Sequence, residues 1–406
     1  MDILFLHRNF PAQFRHLAPA LAQQSGNTVV FLTNNNKVEI PGVSKIVYGL
    51  KRQVPQDSHR YTRFYEEGLI HAQGAADIAF QLQQQGYKPD IIIGHSWGPN
   101  LFMKDIFRNT PMLSYFEWFY SPEGADIGFD GSYQNEDERA RIRSINSLFL
   151  EDLYTCDAGI SPTHWQKSRF PKEFQDKIKV IADGVDTSIC QPNPDAKFVV
   201  KDKNLLLTAK DEVLTYVSRG LEPYRGFPEF MQAVEILLKK RPNLQVVIAG
   251  ENRVCYDTKP IKELYKEKML RELDLDLSRV HFVGRVPFFE YVNLLQISSC
   301  HVYLTVPFVL SWSFLDAMAV GCCIVSSKTA PVQEVMVDNY NGLLVDFYDV
   351  DALADRVNYA LDNQDKVETI RKNAYNTIMK DYALKNQLPK QIDYINKVIS
   401  MKGIKP

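Results

Sequence analysis

Short apolar runs alternate along the chain with longer stretches in which apolar residues recur every three or four positions. The short runs are typical of buried strands, and the recurring pattern is typical of amphipathic helices. This alternation predicts a parallel sheet with helices on both faces, because parallel strands need a crossover connection. In the first half, the predicted strands are Ile3–Leu6, Thr28–Leu32, Ile91–Ile93 and Met112–Tyr115, and the predicted helices are Ala18–Gln24, Thr62–Gln85 and Glu138–Leu153.

A second set of the same kind begins after the segment 191–194, whose two prolines are typical of a linker. The sequence therefore predicts two doubly wound α/β domains, residues 1–193 and 194–383, followed by a last helical segment, residues 384–406. The predicted strands of the second set are Val213–Val217, Gln245–Ala249, Val280–Val283, Val302–Leu304 and Cys323–Ser326. Its predicted helices are Pro228–Lys239, Lys259–Leu273, Phe288–Ile297, Ser313–Val320 and Val350–Leu361, and the last segment holds one more at Leu384–Ser400.

The composition narrows the classes of partner. A chain of 406 residues is long enough for two ordinary domains, and its formal net charge of −2 argues against a nucleic-acid partner. No apolar run approaches the ~20 residues that span a bilayer. The six cysteines lack the spacing of a metal site and are interpreted as buried thiols in a reducing cytosol. The sequence predicts a cytoplasmic protein and leaves peripheral contact with the inner face of a membrane open.

Two arginines flank a turn directly after the predicted strand Val213–Val217, in the segment 218–227 with the sequence S-R-G-L-E-P-Y-R-G-F. Ligands of open α/β sheets bind beyond the carboxyl ends of the strands. Arginine stays charged and offers a planar fork of donors that matches phosphate oxygens. Arg219 and Arg225 are therefore candidates to clamp a diphosphate and to stabilise the charge that develops as it leaves. The alternative is that they cap the edge of a domain.

The second half of the chain resembles the retaining glycosyltransferase family 4, also described as glycosyl transferases group 1. The arginine segment is similar to the family's G-R-x-x-x-x-K-G loop, with Arg225 at the lysine position. The resemblance implies the GT-B fold, in which two Rossmann-like domains face each other across a cleft and the C-terminal helix crosses back to the first domain. Further similar segments follow in the family's order: V-I-A-D-G-V-D at 180–186, V-V-I-A-G-E at 246–251, V-H-F-V-G-R-V at 280–286, A-M-A-V-G at 317–321 and N-G-L-L-V at 341–345.

The resemblance also implies which residues bind the nucleotide. A helix begins near residue 311 in this reading, and its N-terminus is expected to meet the donor phosphates through free backbone N–H groups. Either Ser311 or Ser313 is suited to cap that helix. The implied nucleotide contacts are Gly284, Arg285 and Val286 for the base, and Ser311, Trp312 and Ser313 for the phosphates.

One motif departs from the family. Where the family reads E-G-F-G-L-x-x-L-E, this chain has Phe308 in place of the first glutamate and Asp316 in place of the second. The resemblance implies that Asp316 accepts hydrogen bonds from the ribose hydroxyls. The first glutamate contacts the donor sugar in the family, so Phe308 changes that contact.

In the first half, two candidate catalytic residues follow predicted strands. His95 stands where the family commonly has a histidine, and Glu117 stands where the family often has another. Each is expected to act as a base or to bind a sugar hydroxyl, the alternative being a structural role. The loop 7–15 lacks the family's glycines, and its polar residues Asn9, Gln13 and Arg15 are candidates to contact the acceptor or the donor phosphate.

The remaining signals exclude other chemistry. The D-x-D pattern at 274–276 ends a predicted helix, so it is interpreted as a solvated turn, and neither a metal nor a cofactor is expected.

The leading hypothesis is retaining transfer of a sugar from a nucleoside diphosphate donor, UDP first and GDP next, to a glycan, glycolipid or small-molecule acceptor. A sugar-nucleotide epimerase of the same fold and a catalytically degenerate nucleotide-sugar-binding protein are the alternatives. The donor sugar, the acceptor and the oligomeric state stay open.

Overall fold

The computed structural model describes residues 1–132, 134–256 and 262–401. The chain divides into two compact units: Met1–Asp183 with the C-terminal segment from Lys385 onward, and Gly184–Leu384. The division drawn from the sequence assigns residues 184–193 to the first domain. In the structure they belong to the second unit, because Val185 and Cys190 are buried in its core.

Helices and strands alternate through both units. The strands are β1 Asp2–Leu6, β2 Thr28–Thr33, β3 Val43–Val47, β4 Ile91–His95, β5 Met112–Tyr115, β6 Ala158–Ser161, β7 Ile178–Val180, β8 Lys197–Val200, β9 Leu205–Thr208, β10 Val213–Gly220, β11 Gln245–Glu251, β12 Val280–Gly284, β13 Cys300–Tyr303, β14 Ile324–Ser327 and β15 Leu343–Val345. The helices are α1 Leu17–Ala22, α2 Arg63–Gln84, α3 Met103–Ile106, α4 Glu136–Ile145, α5 Ser147–Thr155, α6 His164–Arg169, α7 Lys172–Gln175, α8 Phe227–Lys240, α9 Tyr265–Glu272, α10 Phe288–Gln296, α11 Trp312–Ala319, α12 Ala330–Gln333, α13 Val350–Asp362, α14 Gln364–Thr377 and α15 Leu384–Ser400. Short 3-10 turns lie at Ala12–Phe14, Lys201–Lys203 and Pro223–Arg225, and a π-helix lies at Ile378–Tyr382.

The first unit is built on a parallel sheet in the order β3-β2-β1-β4-β5-β6-β7. Successive side chains of a strand point to opposite faces, so β1 supplies both cores. Ile3 and Phe5 pack on one face, where Ile395 and Val398 of α15 are buried with them. The other face holds Leu4 and Leu6 with the small residues of α2. The strand order reverses between β1 and β4, which places the loops after these two strands side by side, the usual position of a ligand site.

The second unit contains a parallel sheet in the order β12-β11-β10-β13-β14-β15 and an antiparallel hairpin of β8 and β9. Its strand order reverses between β10 and β13, so the arginine segment after β10 lies beside the loop that leads from β13 into α11. A register shift between Val217 and Gly220 bends the end of β10, which extends three residues beyond the predicted strand.

The doubly wound architecture predicted from the sequence is confirmed, with differences in single elements. The predicted helix Glu138–Leu153 is two helices that meet at Asn146, whose side chain bonds both backbone groups of Tyr120. The sequence did not predict the strands β3, β6, β7, β8, β9 and β15. In β3, Ser44 and Lys45 interrupt the apolar run, as is common at a sheet edge. Part of the predicted helix Lys259–Leu273 lies outside the described residues, and α9 begins at Tyr265. Among the described helices, none is both long and apolar enough to cross a bilayer.

Candidate functional site

A cavity in the second unit brings together three of the predicted phosphate contacts, Arg219, Arg225 and Ser311. Its empty volume is about 290 Å³, part of which is open to solvent. We call it the arginine pocket. Its lining residues are Tyr216, Val217, Ser218, Arg219, Arg225, Tyr256, Tyr303, Leu304 and Ser311.

Arg225 is buried in the wall of the arginine pocket and is held by neutral partners. Its Nη1 donates to the hydroxyl of Tyr303 at 3.1 Å, to Thr305 Oγ1 at 2.7 Å and to the carbonyl of Val309 at 3.1 Å. Burial raises the pKa of Tyr303, so this hydroxyl stays neutral beside the guanidinium. Among the described residues, no carboxylate pairs with Arg225 or with the exposed Arg219. Within the described part of the chain, the pocket therefore presents two cations without a paired carboxylate, an arrangement suited to an anionic ligand.

The loop between the two arginines is fixed by a buried carboxylate that the sequence analysis did not assign. Oε2 of Glu222 accepts hydrogen bonds from the backbone N–H groups of Cys255 and Tyr256, both at 2.9 Å. Gly226 ends the 3-10 turn at a φ of +62°, and a Cβ there would lie 2.5 Å from Leu304. Only glycine fits at this position, since both the backbone angle and the close approach exclude a side chain. A glutamate set between two arginines was the sequence signal for this anchor.

The start of α11 forms another side of the arginine pocket. Ser311 is the N-cap residue, because its Oγ accepts from the backbone N–H of Ser313 at 3.3 Å. The backbone N–H of Ser311 donates to Tyr303 at 2.9 Å, which ties the helix start to the wall that holds Arg225. Of the two capping serines that the sequence allows, the structure selects Ser311, and the helix begins at Trp312.

The other predicted nucleotide contacts do not line the arginine pocket. Asp316 is buried on α11, where its Oδ2 accepts from the hydroxyl of Tyr291 at 3.0 Å. Gly284 ends β12 with a φ of +65°, and the exposed Arg285 follows it. Val286 packs against the core formed with the β8–β9 hairpin. These residues lie in the second unit.

In the first unit, the structure brings the two candidate catalytic residues His95 and Glu117 together. His95 Nε2 lies 3.6 Å from Glu117 Oε2. The His95 ring is buried among aromatic rings, with centroids 4.6 Å from His7, 4.9 Å from Trp97 and 5.4 Å from Tyr115. Within the described part of the chain, neither ring nitrogen of His95 has a hydrogen-bond partner. Buried polar atoms are normally paired, so this histidine is suited to bind a polar group of a ligand.

Glu117 is itself held by a chain of hydrogen bonds that starts in the loop after β1. The backbone N–H of Asn9 donates to His7 Nδ1 at 2.8 Å, and His7 Nε2 lies 2.8 Å from Gln13 Oε1. Gln13 Nε2 donates to Glu117 Oε1 at 3.0 Å. We call this series the His7–Glu117 chain. Asn9 and Gln13 are candidates predicted from the sequence, whereas His7 was not predicted, although its position directly after an apolar strand was the available signal.

Both halves of the chain match models of known families. Residues 25–190 match the model of the glycosyl transferase family 4 group, and residues 199–377 match the model of the glycosyl transferases group 1. The chain belongs to the GT-B glycosyltransferases. This confirms the family expected from the segments of the second half and extends the match to the first half.

Two curated relatives of this glycosyltransferase are D-inositol 3-phosphate glycosyltransferases. The one from Corynebacterium efficiens is 26% identical over 192 residues, 47% of this chain and 44% of that protein. The one from Corynebacterium urealyticum is 24% identical over 293 residues, 70% of this chain and 66% of that protein. The chain thus spans less than two thirds of the length of these relatives.

Solved structures of similar fold include HepE from Anabaena in complex with UDP-glucose, with a TM-score of 0.71, 15% identity and coverage of 98% of this chain and 100% of that chain. Sucrose-phosphate synthase from Thermosynechococcus elongatus has a TM-score of 0.71, 17% identity and coverage of 98% and 99%. At these sequence identities, the similarity shows that this chain has the same fold as those two proteins.

Next to the arginine pocket, this glycosyltransferase carries an aromatic cluster at the position where its motif departs from the family. The buried ring of Phe308 lies 5.6 Å from that of Tyr224 and 5.2 Å from that of Tyr256, between centroids. The guanidinium of Arg225 lies 5.3 Å from the centroid of Tyr256. The missing glutamate is therefore replaced by an apolar surface that also contacts the buried arginine.

Proposed function

We propose that this glycosyltransferase moves a sugar from a nucleoside diphosphate donor, UDP-sugar first and GDP-sugar next, to an acceptor hydroxyl with retention at the anomeric carbon. The observation that carries the proposal is the pair of arginines in the arginine pocket, of which Arg225 is buried and held by neutral groups. A diphosphate supplies negative charge, and guanidinium groups bind it with charge-assisted hydrogen bonds.

The proposed reaction needs no nucleophile from the protein. The bond between the anomeric carbon and the donor phosphate oxygen breaks, the acceptor oxygen forms the new bond, and the acceptor proton passes to the departing phosphate. Negative charge grows on that phosphate as the bond breaks. Arg219, Arg225 and the backbone N–H groups at the start of α11 stabilise this charge, which lowers the barrier more than it strengthens ground-state binding.

Glu117 and His95 act on hydroxyl groups in this proposal. The ring nitrogens of His95, which have no hydrogen-bond partner among the described residues, and the carboxylate of Glu117 supply a donor and acceptors within one small region, 3.6 Å apart. A hydroxyl of the sugar or acceptor that binds there forms a hydrogen bond with the buried His95 ring and is held in a fixed orientation. No metal is assigned a role, and the described residues contain no cluster of three metal-ligating side chains.

The relatives support the choice of substrates. HepE is described in complex with UDP-glucose, which favours UDP as the nucleotide. The curated relatives are named for D-inositol 3-phosphate, which favours an acceptor rich in hydroxyl groups. A glycan, a glycolipid and a small polyol all meet that description.

The test is incubation with a panel of UDP-sugars and GDP-sugars, with and without acceptors, measuring the free nucleoside diphosphate. Release that depends on an acceptor supports transfer, and the anomeric configuration of the product, read by proton NMR, decides retention. An isomerised donor sugar supports the epimerase instead. Binding by calorimetry without any turnover supports the non-catalytic binding protein, and no binding of any nucleotide contradicts all three.

A further inference from the structure

The His7–Glu117 chain joins two loops of the first unit through side chains of fixed donor and acceptor roles. We propose that His7 and Gln13 are positioning residues, which hold the Glu117 carboxylate in one orientation as the hydrogen-bond acceptor for a substrate hydroxyl. This inference rests on the proposed function, because it gives Glu117 a substrate to act on.

The direction of the chain is set by its first member. A backbone N–H only donates, so Nδ1 of His7 must accept from Asn9, and in the neutral ring the proton then lies on Nε2. Nε2 consequently donates to Gln13 Oε1, which turns the Nε2 end of the Gln13 amide toward Glu117. A flipped amide would place its carbonyl against the carboxylate. His7 thus decides which end of Gln13 faces Glu117.

The surroundings keep His7 in this neutral form. Its ring lies 6.1 Å from Phe14 and 4.6 Å from His95, between centroids. Burial, and secondly the charge that His95 can carry, hold the pKa of His7 well below its usual value. The histidine therefore stays neutral through the pH range in which the enzyme is assayed.

Glu117 is fixed from its backbone as well, since its carbonyl accepts from Gln166 Nε2 at 2.8 Å. The titratable groups that face it are His95, at 3.6 Å, and Tyr115, whose hydroxyl donates to Asp183 at 2.9 Å. Arg15 acts electrostatically on the same Tyr115. Among the described residues, Gln13 is the one that donates a hydrogen bond to the Glu117 carboxylate.

The experiment compares Gln13→Leu and His7→Phe with His7→Gln, which keeps an acceptor and a donor on one side chain. Gln83→Leu is the matched control, because Gln83 donates to the Ile106 carbonyl elsewhere in the same unit. We measure kcat, KM for the donor, UDP affinity by calorimetry and the pH profile of kcat/KM. Gln13→Leu and His7→Phe are expected to lower kcat about tenfold and to move the acidic limb upward by about one pH unit, because a carboxylate loses a donor. UDP affinity stays at the wild-type value, and His7→Gln recovers most of the loss.

A second measurement does not depend on activity. In protein labelled with [5-13C]glutamate, the Glu117 carboxyl carbon is assigned with Glu117→Gln and its titration midpoint is followed by NMR in each variant. A midpoint that rises in Gln13→Leu and His7→Phe but not in Gln83→Leu supports the positioning role. Coincident midpoints in wild type and Gln13→Leu overturn it. Should wild type transfer no sugar, the proposed function fails, and the NMR titration still decides whether the chain orients the carboxylate.

Discussion

The arginine pocket and the His7–Glu117 chain are both built at the ends of parallel strands, but they are held together differently. Arg219 and Arg225 come from one loop, and the hydrogen-bond partners of Arg225 among the described residues are hydroxyls and a carbonyl, which carry no compensating charge. The Glu117 carboxylate is reached through a series of side chains from separate loops, each of which orients the next. The first arrangement presents positive charge to a ligand, and the second holds a carboxylate in one orientation. Substitutions in the pocket should therefore act on binding and turnover together, whereas substitutions in the chain should act mainly on turnover.

The largest effect is expected for Arg225→Ala. A charge-assisted bond to phosphate contributes about 1.5–3 kcal/mol, so UDP affinity should fall roughly ten- to a hundredfold. The loss in kcat/KM should be larger, because the charge on the phosphate grows as the bond breaks. Calorimetry with UDP and steady-state kinetics measure the two losses. Arg225→Lys should be milder, since it keeps a cation at the position where lysine is common in the family.

The matched control is Arg356→Ala on α13, which removes an arginine that pairs with Asp338 on the surface of the same unit. It should leave UDP affinity unchanged. If Arg225→Ala and Arg219→Ala both bind UDP like the wild type, the phosphates bind elsewhere and the assignment of the arginine pocket is wrong.

Glu117→Gln should show the opposite balance. The substitution keeps the size of the side chain but removes the carboxylate, so kcat should fall roughly ten- to a hundredfold while UDP affinity changes less than twofold. The measurement is kcat at saturating donor together with calorimetry on the same preparations. A variant that loses UDP affinity as strongly as Arg225→Ala would remove the distinction between the two regions.

The same difference decides how much of each site the sequence could predict. Arg219 and Arg225 lie on one short segment, so their chemistry and spacing were visible together, and the pocket does contain both. His7, Gln13, His95 and Glu117 meet only because the sheet order places β1 beside β4 and β4 beside β5. The strand–helix alternation predicted parallel sheets but not their strand order. For this reason the link from His7 to Glu117 was not predicted.

A smaller effect is expected for Asp316→Ala. If Asp316 binds the ribose, the loss should reduce affinity for UDP several-fold, about 1 kcal/mol for one hydrogen-bonded pair, and leave affinity for pyrophosphate nearly unchanged. Calorimetry with the two ligands separates these outcomes. Tyr291→Phe is the control, because it removes the hydroxyl that donates to Asp316 and keeps the carboxylate. Equal losses for UDP and pyrophosphate would contradict the ribose contact and would mean that the substitution disturbs the pocket through α11.

The smallest expected difference concerns acid stability, where the two regions should behave alike. Burial lowers the pKa of His301, on β13 of the second unit, to about 3 and holds that of His7, in the first unit, well below its usual value. Below about pH 6.5 the unfolded state binds protons that the folded state does not bind. The contribution of each histidine to the free energy of unfolding is therefore present above about pH 6.5 and is lost as the pH falls below it. Between pH 6.5 and 5.5 each histidine should reduce the free energy of unfolding by about 1 kcal/mol.

Asp152 opposes this loss in part. Burial raises its pKa to about 6, so the folded state binds a proton at a higher pH than the unfolded state does. The contribution of Asp152 to the free energy of unfolding therefore grows as the pH falls through that value. Urea unfolding at pH 7.5, 6.5 and 5.5 should therefore show a fall in the free energy of unfolding that Asp152→Asn makes steeper. His7→Gln and His301→Gln should each make it shallower by a similar amount, because both rings are buried and neutral whichever unit contains them. A slope that changes with one of these histidines and not with the other would mean that acid destabilises the two units by different groups.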